Sequence, residues 1–144
     1  MNVKVFYHSM TGNTKKVAEA IAAVANVPAE AITGSESITE PIDLLFLGDG
    51  IYAGKMAKPT KAFLENLNGT LIGQAAVFGT YGGQTKAITA MADSLREKGI
   101  SVSKESFSCK GQAWALANRN HPDENDLNAA RQFAADILSA AGAE

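Results

Sequence analysis

Short apolar runs recur along the chain and do not alternate strictly with polar residues. The clearest runs occupy residues 3–7, 44–48 and 75–79, and a weaker one occupies 29–33. Strands that are apolar on both faces are typical of parallel sheets covered by helices on either side. Residues 101–108 alternate more, as an edge strand does. The pattern therefore predicts a five-stranded parallel sheet.

Segments with helical spacing of apolar residues separate these runs. They predict helices over residues 13–25, 59–67, 85–98 and 123–141. The segment 34–41 is too short for more than a vestigial helix. Strands that alternate with helices through right-handed crossovers form an α/β fold. We therefore predict a three-layer, doubly wound sheet.

Size and charge restrict the class of protein. The chain has 144 residues, 46% of them apolar, so we expect residues 1–144 to form a single domain with one compact core. A formal charge of −2 gives no reason to expect nucleic acid or an anionic membrane as a partner. No apolar run approaches the ~20 residues of a membrane helix. A lone Cys109 cannot form an internal disulfide, so we expect a cytoplasmic protein with a free, packed thiol.

The turn between the first predicted strand and the first predicted helix is rich in hydroxyl groups. It consists of Ser9, Met10, Thr11, Gly12, Asn13 and Thr14. Such a turn places backbone N–H groups, hydroxyls and the positive end of a helix around one point. Each hydrogen bond to a charged group contributes about 1.5–3 kcal/mol, so several could hold a phosphate without an arginine. Gly12 lets the backbone turn close to a ligand. The alternative is an ordinary helix cap.

This turn resembles the phosphate loop of the flavodoxin family, and the similarity extends over most of the chain. Residues 43–58 are similar to the family's third strand and first flavin-ring loop, and residues 78–83 to its fourth strand and second ring loop. Residues 107–111 and then 121–124 are similar to the last strand and the final helix of the family's short-chain members, which lack an insertion in that strand. The resemblance implies the strand order 2-1-3-4-5 and flavin mononucleotide (FMN) as the cofactor. Ligands in this order bind beyond the carboxyl ends of the strands, where the order reverses.

The resemblance also implies which residues enclose the flavin ring. They are Tyr52, Ala53 and Gly54 in the first loop, and Thr80, Tyr81, Gly82 and Gly83 in the second. Either tyrosine could stack on the ring or pack on the core instead. Gly54 matches the family's peptide whose carbonyl rotates toward the ring. Gly83 occupies a position that is aromatic in some members, which leaves one ring face open unless Trp114 covers it.

The chain departs from the family in charge. Flavodoxins are typically acidic around the flavin, but basic residues gather in the segments expected there, with Asp49 as the only clear acid. These residues are Lys15, Lys16, Lys55, Lys58, Lys86, Lys110 and Arg119. Positive charge favours the more negative, reduced flavin. We therefore expect a milder reductant than a typical flavodoxin.

Three functions remain open at this point. The first is an FMN protein that shuttles electrons between a redox-protein donor and acceptor. The second is an FMN-dependent reductase of a quinone or another small, possibly anionic, molecule. The third is a binding module that has lost FMN. In the first, no side chain acts as acid, base or nucleophile, because the cofactor performs the chemistry. No metal site is predicted, since His8 and His121 are far apart without accompanying cysteines.

Overall fold

The strands of the protein form one parallel sheet. A computed structural model describes residues 1–51, 56–81, 86–110 and 122–142. In these ranges the strands are β1 (Val3–His8), β2 (Ala29–Ala31), β3 (Ile42–Ile51), β4 (Ile72–Tyr81), β5 (Ser101–Val102) and β6 (Phe107–Lys110). Their order is β2-β1-β3-β4-β5, and β6 also pairs with β4. The α/β fold and the strand order 2-1-3-4-5 predicted from the sequence are confirmed.

The predicted fifth strand consists of two segments on the same side of β4. β5 pairs with residues 74 and 75, and β6 pairs with residues 78–81. Four residues, 103–106, therefore stand opposite two residues of β4, so the edge strand carries an insertion. The Ser103 N–H still donates to the Ala75 carbonyl, 2.8 Å away, and the ladder resumes at Phe107.

The helices follow the strands as predicted. They are α1 (Asn13–Ala25), α2 (Lys58–Asn66), α3 (Lys86–Glu97) and α4 (Glu124–Ala140). A short 3-10 helix, Gly69–Leu71, leads into β4, and no helix forms over 34–41. Because all the strands run parallel, the ends of β1, β3, β4 and β6 lie at one edge of the sheet, which we call the carboxyl edge.

Two apolar clusters cover the two faces of the sheet. Leu45 and Leu47 of β3 pack with residues of α2 and α3. Leu44 and Phe46 of the same strand pack with residues of α1 and α4. Successive side chains of a strand point to opposite faces, so a continuous apolar run supplies both layers. Within the described ranges, no helix is both long and apolar enough to cross a membrane.

Candidate functional site

The carboxyl edge brings together residues that are distant in the sequence. His8, the last residue of β1, lies opposite Asp49 of β3, which in turn lies opposite Gly79 of β4. Thr80 of β4 lies opposite Cys109 of β6. The β3 and β4 ladders continue beyond the predicted strands 44–48 and 75–79. The hydrogen-bonded sheet therefore includes Asp49 and Thr80 and holds their backbones in place.

The turn that follows β1 has the conformation expected of an anion cradle. The Ser9 hydroxyl accepts a hydrogen bond from the Gly12 N–H at 2.9 Å. Gly12 has a φ of 89°, in the left-handed region that favours glycine, and a Cβ built on it would meet no atom within 4 Å. The space in front of the turn is therefore open.

The start of α1 is suited to a negatively charged group. The N-cap residue, Gly12, has no side chain that could cap the helix, and the first turn contains no acidic residue. The side chains of Lys15 and Lys16 are exposed there. A helix start has N–H groups without intrahelical partners and a partial positive charge. These residues fit a phosphate group.

The predicted phosphate-loop residues divide into outward and inward groups. Met10 is 72% exposed and Thr11 is also exposed, whereas Asn13 and Thr14 are buried. The Thr14 and Thr80 hydroxyls lie 2.8 Å apart and share one hydrogen bond. Either hydroxyl can be the donor of this bond. The bond also joins the phosphate turn to the end of β4.

Asp49 is a buried acid whose contacts the sequence pattern did not reveal. Its side chain is fully buried, and its Oδ2 accepts a hydrogen bond from the Ala57 N–H at 2.8 Å. Its Oδ1 lies 3.4 Å from Nδ1 of His8, whose side chain is 18% exposed. Burial raises the pKa of Asp49 above its ordinary value, and the Ala57 amide, the Thr60 hydroxyl and His8 oppose this rise. The only available signal in the sequence was its position at a strand end.

Cys109 is a packed thiol, as the sequence predicted. It is buried and free, and burial together with the charges of Asp126 and Asp123 raises its pKa to about 12. A thiol with that pKa is protonated at neutral pH and is a poor nucleophile. Cys109 therefore contributes packing to the site. No group of three potential metal-ligating side chains occurs within the described ranges.

The charge at the carboxyl edge is more mixed than expected. Lys15, Lys16 and Lys58 have exposed side chains at the starts of α1 and α2. However, Asp49 is not the only acid at this edge, because α4 begins there with three more carboxylates. They belong to Asp123, Glu124 and Asp126. Asp123 and Asp126 form a capping box, and Glu124 pairs with Arg131 at 3.0 Å. The expectation of one acid was wrong because strong helix-capping residues are acidic.

Several predicted residues lie outside the part of the chain that the structure describes. They include the ring-loop residues Tyr52, Ala53, Gly54, Gly82 and Gly83, and the side chain of Tyr81. The same is true of Lys55, Trp114, Arg119 and His121. Of the predicted ring contacts, Thr80 alone has a described side chain, and it is buried against Thr14.

Comparison with known proteins identifies the family. Residues 4–114 match the family model described as a flavodoxin domain. An uncharacterised protein of Methanocaldococcus jannaschii is 33% identical, over 96% of this chain and 99% of its own length. The chain belongs to the flavodoxin family. This membership confirms the resemblance seen in the sequence and implies FMN as the cofactor.

Solved structures agree with the flavodoxin fold. A flavodoxin from the domain Archaea matches with a TM-score of 0.79 at 24% identity, covering 99% of each chain. Oxidised flavodoxin 2 from Bacillus cereus matches with a TM-score of 0.74 at 23% identity, covering 96% of this chain and 99% of the other. In a flavodoxin fold of this order, the turn after β1 lies beside the point where the strand order reverses. The cradle at Ser9 and Gly12 is at that point.

Proposed function

We propose that this flavodoxin-family protein is a cytoplasmic electron carrier that moves electrons between a redox-protein donor and a redox-protein acceptor. Bound FMN supplies the chemistry, since its ring accepts and releases electrons. The chain itself binds and orients the cofactor and sets the electrostatics around it. The observation that carries the proposal is the acid-free start of α1, whose N-cap residue is Gly12, behind the turn that the Ser9 hydroxyl closes.

The proposed binding residues fall in three groups. Ser9, Met10, Thr11, Gly12, Asn13 and Thr14 surround the phosphate. Tyr52, Ala53 and Gly54 contact one side of the ring. Thr80, Tyr81, Gly82 and Gly83 contact the other. The phosphate group has the strongest support, because the Ser9 hydroxyl closes the turn onto the Gly12 N–H in front of an acid-free helix start. Exposed Thr11 can turn its hydroxyl toward the open space at Gly12.

A carrier needs no general acid, base or nucleophile of its own. The Cys109 thiol is protonated at neutral pH. Asp49 is enclosed by protein and is satisfied in part by the Ala57 amide. These described groups are placed to support the binding loops, which is consistent with a protein whose task is to hold a redox group.

Binding of FMN and of riboflavin, which lacks the phosphate, tests the proposed phosphate site. Calorimetry on apo-protein should show that Thr11→Ala weakens FMN binding about tenfold, because one hydrogen bond to a charged group is lost. Its riboflavin affinity should be unchanged. Thr89→Ala, which removes an exposed threonine of α3, is the matched control and should bind both like the wild type. Equal loss of riboflavin binding in Thr11→Ala would contradict a phosphate role.

The carrier role is tested separately, by the visible spectrum and by turnover. Purified protein should show flavin absorbance that changes in steps during reduction by dithionite. NADH or NADPH together with a quinone should be consumed only when a separate reductase is added. Consumption without that reductase would support the second candidate, a small-molecule reductase. The glycine at position 83 and the exposed lysines of the carboxyl edge favour that candidate.

A further inference from the structure

Asp49 is a buried carboxylate at a position where neither the packing nor the backbone pairing requires a charged side chain. It is fully buried at the end of β3, where its backbone already pairs with β1 and β4. Burying a charge costs free energy unless the charge is paired and hydrogen-bonded. The backbone pairing would be the same with an apolar residue at this position. The function of the side chain must therefore come from the groups that its two oxygens contact.

One carboxylate oxygen holds the start of α2. The Ala57 N–H donates to Oδ2 at 2.8 Å. Ala57 is the N-cap residue of α2, and its own methyl side chain makes no capping hydrogen bond. Asp49 thus links the end of β3 to the start of the next helix. In the sequence, the residues proposed for the first ring loop lie between these two anchored points.

The other oxygen faces the entry of the phosphate turn. Asp49 Oδ1 lies 3.4 Å from Nδ1 of His8. Within the described ranges neither atom has a hydrogen-bond partner, so this is a close polar contact between two buried, unsatisfied atoms. A carboxylate cannot donate, so a favourable contact requires a hydrogen on His8 Nδ1. His8 is bonded directly to Ser9, whose hydroxyl closes the turn onto the Gly12 N–H.

We propose that Asp49 is a positioning residue for both cofactor loops. Through Ala57 it holds the end of the segment that contains Tyr52, Ala53 and Gly54. Through the hydrogen on His8 Nδ1 it orients the residue that precedes the phosphate turn. This inference rests on the proposed function, because it assigns Asp49 to the loops that would bind FMN.

Affinity measurements on three variants test the positioning role. Asp49→Ala should weaken the binding of both FMN and riboflavin at least about tenfold, because both anchors are lost. Asp49→Asn can still accept from Ala57, so its riboflavin affinity should stay within about threefold of the wild type. Its FMN affinity should fall further than its riboflavin affinity, since the contact with His8 changes.

Asp43→Ala is the matched control. Asp43 is on the same strand at the opposite edge of the sheet, and its carboxylate also accepts a backbone N–H, that of Asn2. This variant should bind both ligands like the wild type. If Asp49→Ala or Asp49→Asn binds FMN and riboflavin with unchanged affinity, the positioning role is wrong. If Asp49→Ala does not fold, Asp49→Asn alone decides the matter.

The tautomer of His8 is a second measurement. If Asp49 had only a structural role, its substitution would not change which ring nitrogen of His8 carries the hydrogen. Long-range ¹⁵N–¹H NMR of the apo-protein should show a hydrogen on Nδ1 in the wild type. In Asp49→Asn the side-chain amide can donate to Nδ1, so the hydrogen should move to Nε2. A wild-type His8 protonated only on Nε2 would overturn the inference. Because this spectrum needs no ligand, it is independent of FMN binding, whose absence in the wild type would instead overturn the proposed function.

Discussion

At the scale of single residues, two glycines of the carboxyl edge are needed for different physical reasons. Gly12 has a φ of 89° and open space around its missing Cβ, so its requirement is conformational. Gly48 has ordinary backbone angles, but a Cβ there would lie 2.1 Å from the buried ring of Phe78. The requirement at Gly48 is therefore steric, and the two positions respond differently to substitution.

Gly12→Ala should lower the free energy of unfolding by about 1–2 kcal/mol, the cost of a left-handed conformation for an L-residue. Gly12→Asn should cost less, because asparagine enters this conformation more readily. Urea denaturation of the apo-proteins measures both. An alanine variant as stable as the wild type would show that the turn does not require this φ.

Gly48→Ala should lower the free energy of unfolding by about 1–3 kcal/mol, the usual cost of overpacking. Adding Phe78→Leu, which removes the ring, should make the alanine less costly than it is in the wild type. The same denaturation experiments, arranged as a double-mutant cycle, test this coupling. Strictly additive effects would mean that the ring is not the obstacle.

The pH dependence of stability should reveal the buried charge of Asp49. Its folded pKa is raised by burial, so the folded protein favours the protonated acid more than the unfolded chain does. The stabilising contribution of protonated Asp49 to the free energy of unfolding is therefore fully present below the ordinary aspartate pKa. It is lost as the pH rises through the pKa of Asp49 in the folded protein. In thermal unfolding, Asp49→Asn should have a higher melting temperature than the wild type at neutral pH. The difference between the two melting temperatures should become smaller in acid. A difference in melting temperature that becomes larger in acid would contradict this prediction.

At the scale of elements, one buried hydrogen bond joins α1 to β4. Thr14 is 1% exposed and Thr80 is 4% exposed, and their hydroxyls lie 2.8 Å apart. The rest of the contact between α1 and the sheet is apolar, through residues such as Val17 and Ile21. A pair of hydroxyls inside such a contact fixes the position of the helix start relative to the strand end.

Thr14→Val and Thr80→Val should each lower the free energy of unfolding by about 1–3 kcal/mol, because each leaves the other hydroxyl buried without a partner. The double variant should cost less than the sum of the two, since both polar groups are then removed. Denaturation of the three apo-proteins tests this. Additive costs would show that the two hydroxyls do not depend on each other.

At the scale of the whole molecule, the parallel arrangement of the strands brings the charged residues at the helix starts together at the carboxyl edge. The first turns of α1, α2 and α3 each contain lysine and no acid. Only α4 begins with acids there, and two of them cap the helix while the third pairs with Arg131. Within the described ranges, Lys15, Lys16 and Lys58 are exposed and form no ion pair, and we still expect a milder reductant than a typical flavodoxin.

Replacing Lys15 and Lys16 with glutamine should lower the reduction potential of each one-electron FMN couple. The expected decrease is about 10–40 mV for each lysine that is replaced. This range corresponds to about 0.2–1 kcal/mol for a partly exposed charge. Lys104→Gln, an exposed lysine between β5 and β6, is the control and should leave the potential unchanged. Redox titration at low salt measures all of them. An unchanged potential in the double variant would mean that these lysines do not act on the cofactor.

The sequence by itself determined the class of fold, and it predicted the turn after the first strand as a phosphate loop. Apolar runs and helical spacing of apolar residues are local signals. The continuous apolar run of β3 alone predicts that helices cover both faces of the sheet, and its neighbouring leucines and phenylalanine do pack on opposite faces. Gly12 between Ser9 and the first helix was also a local signal. Such patterns survive in a single sequence because they depend on residues that are close along the chain.

Only the tertiary structure decided which side chains meet. The contacts of Asp49 with His8 and of Thr14 with Thr80 join residues 41 and 66 positions apart. The first depends on the register between β1 and β3, which pairs His8 with Asp49, and the second on the packing of the start of α1 against the end of β4. Register is set by packing of the whole sheet and leaves no local mark in the sequence. The two-residue insertion of the edge strand was hidden for the same reason.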